Sequence, residues 1–337
     1  MAELQRSLHG RLTTLADVAN AAGVSLATAS KALSDRYDVA ASTKERVKAV
    51  AKELRFTPNH LARGLLSGRT ESVGIITSDL DARFAPQIMM GAEDALGADR
   101  SSVLLCNSRG NPELERHHIQ ELLRRRVDGL IVVGDSPEPR EPLDPAPPIP
   151  TVYVYAPSNE PDDLSFVCDN VHSARLATNY LIEQGRRRLV HLGGPAGSTA
   201  ARDRADGTQA AARDAGLELL GGGPLLGDWQ ETWGWQAVDR LLHDGVEFDG
   251  LVCGNDQIGR GALDQLDRRG IEVPDAVEVI GFDNWSILSR DTRRPFPSID
   301  LDLAALGHAA AQALTRPGQT KSGTHAIPGF VATRPYA

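Results

Sequence analysis

Residues 13–36 read TTLADVANAAGVSLATASKALSDR. Two short helices fit this stretch, one from Thr14 or Leu15 to Ala22 and one over Leu26–Leu33, separated by Gly23-Val24-Ser25. Gly23 can take the positive φ that a tight interhelical turn needs, and Ser25 is a good N-cap for the second helix. Leu15, Val18, Ala19, Val24, Ala29 and Leu33 would form one small buried seam. The second helix then presents Leu26, Ala27, Thr28, Ser30 and Lys31, side chains with little to bury. This is the helix-turn-helix pattern, whose second helix enters the DNA major groove. From this stretch alone, an ordinary helix pair remains the alternative.

Charge supports DNA contact at this end only. Residues 1–70 carry 11 Lys+Arg against 6 Asp+Glu, a net of +5. The other 267 residues hold 25 of the 36 basic groups and 39 of the 45 acidic ones, a net of −14. A basic head on an acidic body suggests that one end meets phosphate and the other does not. The overall pI near 5.5 hides this asymmetry.

At 337 residues and 41% hydrophobic, the chain can bury a substantial core in two or three domains. The start, MAELQRSLHGRLT, is polar, so no signal peptide is expected and the expected location is the cytoplasm. No apolar run approaches the about 20 residues a membrane helix needs. Cys106, Cys168 and Cys253 each lie in or beside an apolar strand-like run. They read as free thiols of a reducing compartment rather than metal ligands, since partners at ligand spacing are missing.

Ser42–Arg55 places Val47, Val50, Ala51 and Leu54 on one face, predicting a third helix that covers the first two and ends before Pro58. Asn59–Thr70 is compatible with a further short helix, weakened at Gly64 by about 1 kcal/mol relative to alanine. From Ser72 onward, strand-like runs alternate with helical patterns of 10–13 residues. The strands are Val73–Thr77, Ser102–Cys106, Gly129–Val133, Val152–Tyr155, Phe166–Cys168, Arg188–Leu192, Gly250–Cys253 and Val277–Phe282. The alternation means βαβ units and parallel sheets, too many for one ordinary sheet. Two doubly wound lobes with a cleft between them are expected, with Pro/Gly-rich Asp135–Pro150 as a loop of the first.

The whole pattern resembles the lac repressor (LacI/GalR) family of bacterial transcription regulators. The likeness runs from about Thr13 to Pro335 and rests on motifs in order. They are TLADVANAAGVSLATASKAL in the head and RFTPNHLARGLLSGRT at a hinge. In the body they are VGIITSDL, RRVDGLIVVG, VCDNVHSARLATNYLIEQGRRRLVHLGGP, ARDRADG, LVCGNDQIGRGAL and VIGFDN. The resemblance implies a small all-α helix-turn-helix head and an α/β body of two doubly wound parallel sheets, like the periplasmic sugar-binding proteins. The division expected is a tail 1–12, a DNA-binding domain 13–58, a hinge 59–71 and an effector-binding and dimerisation domain 72–337, the chain crossing between lobes near 170, 298 and 328. It further implies a homodimer on a pseudo-palindromic operator, most often as a repressor, and a small molecule in the cleft. No cofactor, metal or membrane partner is expected.

In that family the positions of Thr14, Ser25, Thr28 and Ser30 hydrogen-bond phosphates, and those of Leu26 and Ala27 read bases, here only by apolar contact such as a thymine methyl. Lys31 stands where an arginine often sits, a point charge in place of a bidentate fork. Leu65 matches the hinge leucine that wedges into the minor groove, with Asn59 and Arg63 beside it. In the cleft, Arg204 matches the effector-binding arginine and Asp283 a carboxylate that accepts from ligand hydroxyls. Asn255 ends a strand in the same cleft, and Trp229 falls where an aromatic often stacks. Asp79, Phe84 and, less directly, Tyr155 complete the expected set. For each, packing or capping is the alternative, and for Asp169, which precedes a helix, capping is the better reading. The loop Asp81-Ala82-Arg83-Phe84 departs from the frequent Asn-Pro-Phe, so Arg83 can alter ligand choice.

The expected effector is a sugar or sugar-like polyol, with a purine as the alternative. An enzyme reading fares poorly, since GxSxG, the P-loop lysine motif and GxGxxG after a strand do not occur. Gly193-Gly194-Pro195 follows a strand without the rest of a phosphate-binding motif. A free-standing sugar carrier would need export. Because no leucine heptad follows Gly329, a dimer rather than a tetramer is expected.

Overall fold

The computed structural model describes residues 13–33, 39–56, 70, 72–78, 80, 84–97, 102–289, 295–316 and 318–333, without the side chains of Ser286 and Ser289. The chain divides into two compact units, Met1–Thr70 and Glu71–Ala337.

In the first unit, α1 (Leu15–Ala22), α2 (Leu26–Leu33) and α3 (Ala41–Glu53) enclose a small core. Thr14 starts α1 with a capping box: its hydroxyl accepts from the Asp17 amide while the Asp17 carboxylate accepts from the Thr14 amide. Gly23 ends α1 at φ 64°, left-handed as a tight turn requires. The Ser25 hydroxyl accepts from the Thr28 amide at 3.1 Å and opens α2. Val18, Ala19, Ala22, Ala29, Ala32, Val47, Ala51 and Leu54 are buried together, whereas Leu15, Val24 and Leu33 are only partly covered. Alanines thus form more of the seam than the sequence suggests, which lets three short helices approach closely. The Thr13 hydroxyl donates to the Leu54 carbonyl at 2.8 Å and ties the start of this unit to the end of α3.

The second unit holds two six-stranded sheets, one per lobe. Its elements in order are β1 (Ser72–Thr77), α4 (Ala85–Leu96), β2 (Ser102–Asn107), α5 (Pro112–Arg124), β3 (Gly129–Val133), β4 (Thr151–Val154) and β5 (Leu164–Asp169). Then come α6 (Asn170–Glu183), β6 (Leu189–Gly193), α7 (Thr199–Asp214), β7 (Leu225–Leu226), α8 (Glu231–His243), β8 (Gly250–Cys253), α9 (Asp256–Arg268), β9 (Glu278–Phe282) and α10 (Ser286–Ser289). The last are β10 (Ser298–Asp300), α11 (Leu303–Thr315), β11 (Gly323–Pro328) and β12 (Phe330–Ala332).

The first sheet runs β11-β5-β4-β3-β1-β2, all pairs parallel. The second runs β12-β10-β9-β8-β6-β7, parallel except for β12, which lies antiparallel to β10. That reversal has a simple cause: β12 follows β11 directly across Gly329, with no crossover helix to restore its direction. The chain passes between the sheets in three places, between β5 and β6, between β10 and α11, and between β11 and β12.

Strands β1, β3, β6, β8 and β9 are buried along their whole length, as parallel strands covered on both faces must be. A core containing Ile75, Ile88, Ile131, Leu181, Ile280, Phe282 and Leu306 continues from one lobe into the other. Cys168 and Cys253 are buried free thiols, and Cys106 is half-buried. Burial pushes the Cys168 thiol up to about 12, so it is uncharged. Among the described residues, no helix is long and apolar enough to cross a membrane.

Candidate effector cleft and DNA-contacting head

A cavity of about 380 Å³ opens between the lobes, lined by Phe84, Asp135–Glu138, Tyr155, Ser198, Ala200, Arg204, Trp229, Asn255 and Asp283. Asp135–Glu138, Tyr155, Asn255 and Asp283 follow β3, β4, β8 and β9, at the C-terminal strand ends where open α/β sheets bind ligands.

Arg204, on α7, is 4% exposed. Its Nε donates to the Asn170 Oδ1 at 2.9 Å, Nη1 donates to the Gly254 carbonyl, and Nη2 lies 3.4 Å from the Asp283 Oδ1. The guanidinium carbon sits 4.6 Å from the Phe282 ring centroid and 5.7 Å from that of Trp229. Among the described residues those contacts use three of the five guanidinium N–H groups, and one on each terminal nitrogen remains for a ligand. Asp283 follows β9 at φ 88° and Tyr155 follows β4 at φ 73°. Two non-glycine residues held in the left-handed region at one cleft cost of order 1–3 kcal/mol each, the kind of strain that collects at functional sites.

The aromatic wall has two parts. Phe84 and Tyr155 meet with ring centroids 5.0 Å apart and planes at 33°. Trp229 lies on the backbone of the other lobe, where a Cβ at Gly194 would stand 2.4 Å from its indole. The glycine run after β6 therefore makes room for an aromatic ring. Asn255 lines the cavity and also holds its frame: its Oδ1 accepts from the Ile258 amide at 2.8 Å, capping α9, and its Nδ2 donates to the Trp229 carbonyl at 3.1 Å. Asp169 accepts from the His172 amide at 2.9 Å and caps α6.

Beneath Arg204, fully buried His191 meets the Thr208 hydroxyl at 3.2 Å, and that hydroxyl donates to the Arg204 carbonyl at 2.8 Å. His191 is thus the donor from Nδ1, and its Nε2 has no partner among the described residues. Burial first, and the Arg204 charge second, hold this imidazole down to about 3, so it is neutral.

Phe84, Tyr155, Arg204, Trp229, Asn255 and Asp283 thus come together around one cavity, while Asp79 and Arg83 lie outside the described residues. The sequence reading missed Ser198 and Ala200 at the start of α7, and it missed Asp135, Ser136, Pro137 and Glu138. For these last four the signal was available: they follow β3 as Asp283 follows β9, and the strand-end rule that selected Asp283 selects them too.

In the head, Leu26 is 54% exposed, and Ala27 and Lys31 are exposed beside it on α2. Thr14, Ser25 and Thr28 are engaged locally: the Thr14 hydroxyl donates to the Asp17 carboxylate at 2.6 Å, and the Ser25 and Thr28 hydroxyls bond each other at 2.8 Å. Ser30 is half-buried on the same helix. Asn59, Arg63 and Leu65 lie outside the described residues.

Two family models match this chain: "Bacterial regulatory proteins, lacI family" over residues 14–59 and "Periplasmic binding proteins and sugar binding domain of LacI family" over residues 70–330. The chain belongs to the LacI family. As a LacI-family protein it is a DNA-binding transcriptional regulator, not an enzyme. It is 31% identical over 307 residues to the ribose operon repressor of Escherichia coli K12, covering 90% of this chain and 92% of that one. It is likewise 31% identical over 306 residues to the transcriptional repressor PurR of Haemophilus influenzae PittEE, covering 90% of each. Among solved structures, the lac repressor dimer bound to operator and the anti-inducer ONPF matches with a TM-score of 0.70 and 26% identity, covering 96% of this LacI-family chain and 98% of that one.

Proposed function

We propose that this regulator is a homodimeric, cytoplasmic repressor that binds a pseudo-palindromic operator and answers to a sugar or sugar-like polyol in its inter-lobe cleft. The observation that carries the reading is the pairing, in one cavity, of a charged polar centre at Arg204 and Asp283 with an aromatic surface at Trp229. Sugars combine a ring of hydroxyls with a face of C–H groups, so they want convergent hydrogen-bond partners and an aromatic platform. The name of one relative, the ribose operon repressor, points the same way, whereas PurR, matched at the same identity, does not. In the head, Leu26 and Ala27 make apolar contact with base edges, Lys31 reaches a base or phosphate, and Thr14, Ser25, Thr28 and Ser30 bond phosphates. Asn59, Arg63 and Leu65 act at the minor groove. The body 72–337 binds the effector and dimerises, the head 13–58 binds DNA, and 59–71 connects them.

The test is a thermal-shift panel of pentoses, hexoses, disaccharides, guanine and hypoxanthine on the full chain. A ligand at 100 times its Kd adds about 2.7 kcal/mol to the native state, well above detection. A sugar is the expected hit, and a purine as the sole hit overturns the sugar assignment.

A further inference from the structure

The segment after β3 belongs to the first lobe and α7 to the second, yet one carboxylate joins them. Glu138 accepts from the Thr199 amide at 2.7 Å and from the Thr199 hydroxyl at 2.6 Å, across 61 residues of chain. Thr199 is the first residue of α7, and the preceding Ser198 makes no side-chain cap bond of its own. The capping group of this helix therefore comes from the opposite lobe. Arg202 Nη2 donates to the same Thr199 hydroxyl oxygen at 2.9 Å, and Arg202 Nη1 donates to the Gly197 carbonyl at 2.8 Å, so the receiving end is braced.

The giving end is braced as well. Two residues on from Glu138, Arg140 forms a bidentate pair with Glu115 of α5 at 3.1 and 2.8 Å. Its amide donates to the Pro157 carbonyl at 2.9 Å, and the Leu143 amide donates to the Tyr153 hydroxyl at 2.9 Å. Burial opposes ionisation of Glu138, but the hydrogen bonds from Thr199 and the nearby Arg202 charge outweigh it and hold the carboxyl below its ordinary range. A charged clasp between two fixed points stands at the edge of the cavity, on the helix that carries Arg204.

We propose that Glu138 is a positioning residue of the cleft: by capping α7 from across the lobes, it holds Arg204 and the first-lobe wall in the arrangement that a bridging ligand must find. This rests on the reading of the cleft as the effector site. Phe84 and Tyr155 come from one lobe, Arg204, Trp229 and Asp283 from the other, so a ligand touching both binds only the clasped arrangement. When the clasped population falls, apparent affinity falls by the same factor.

The test is single-molecule energy transfer in the ligand-free full chain. Dyes are placed at exposed positions of the two lobes by Gln120→Cys and Arg213→Cys in a Cys106→Ser background, and labelled protomers are diluted into unlabelled protein. Glu138→Ala is expected to move the population to lower transfer efficiency. Thr199→Val is expected to move it less, because the amide bond to Glu138 remains. The double variant is expected to move no further than Glu138→Ala. A wild-type distribution in Glu138→Ala, or a double variant that exceeds it, overturns the proposal. A cap serving α7 alone would change amide exchange at Thr199 without changing the inter-lobe distance, which also overturns it. If Glu138→Ala does not fold, Glu138→Gln carries the test, with an intermediate shift expected and an unchanged distribution contradicting the clasp. Because no ligand is present, an effector panel without a sugar hit would refute the effector reading while leaving this result standing.

Discussion

Arg204 Nη2 lies 3.4 Å from Asp283 Oδ1, and neither side chain is more than 5% exposed. The two residues are 79 apart in sequence and meet only because α7 and the turn after β9 converge on the cleft. Removing one partner of a buried pair leaves the other charge uncompensated, at a cost of about 3–5 kcal/mol. Asp283→Asn is expected to destabilise the body by an amount toward the lower end of that range, because asparagine tolerates the left-handed backbone and keeps one acceptor. Asp283→Val should be worse, adding backbone strain to the lost charge. Urea denaturation of both variants checks the order, and equal losses would show that charge and strain are not separate contributions.

His191 makes the body sensitive to acid. Its folded value of about 3 lies below the ordinary histidine value of about 6.5. The unfolded chain therefore takes up a proton that the folded protein refuses, so stability is lost as pH falls from about 6.5 toward 3. The slope from this one group approaches about 1.4 kcal/mol per pH unit in mid-window. His191→Gln should flatten the curve over that window by up to one proton. A variant curve parallel to the wild type would contradict it.

Trp229 and Gly194 depend on each other. An alanine methyl at Gly194 meets the indole, so Gly194→Ala should cost about 1–3 kcal/mol, as overpacking usually does. In a Trp229→Ala background the same change should cost much less. A double-mutant cycle that comes out additive would mean that Gly194 is constrained by something other than the ring.

DNA contact should be strongly salt-dependent and specific. Lys31→Ala is expected to weaken operator binding several-fold and to lower the salt slope by about 1 if it contacts a phosphate. Leu65→Ala should weaken it further by removing a minor-groove wedge. Fluorescence anisotropy on an operator selected from genomic fragments reads both, and unchanged affinity in the pair would refute the contacts assigned.

The legible parts of this molecule were the locally determined ones. Thr14, Gly23 and Ser25 fix α1 and α2 by capping and turn chemistry within a few residues, so the head could be read directly from sequence. The fully buried strands stood out as apolar runs. By contrast, α11 (LAALGHAAAQALT) is apolar nearly all round and gives weak periodicity, and its packing with Ile88 and Ala92 of α4 depends on the chain returning to the first lobe. Asn255 was legible as a strand-end residue, yet its bonds to Ile258 and the Trp229 carbonyl were not. The Glu138–Thr199 contact was invisible for the same reason: its partners are 61 residues apart and nothing in either segment names the other.

The central claim is that a ligand in the cleft controls operator binding through Arg204. The direct measurement is operator affinity with and without the sugar found by the thermal-shift panel, for wild type and Arg204→Ala, below the melting temperature of both. Ligand can shift the equilibrium only by its differential affinity for the two lobe arrangements. Wild-type affinity is expected to change at least tenfold with ligand, and Arg204→Ala affinity to start near wild type and not respond. A variant that still responds at wild-type ligand concentrations would contradict it.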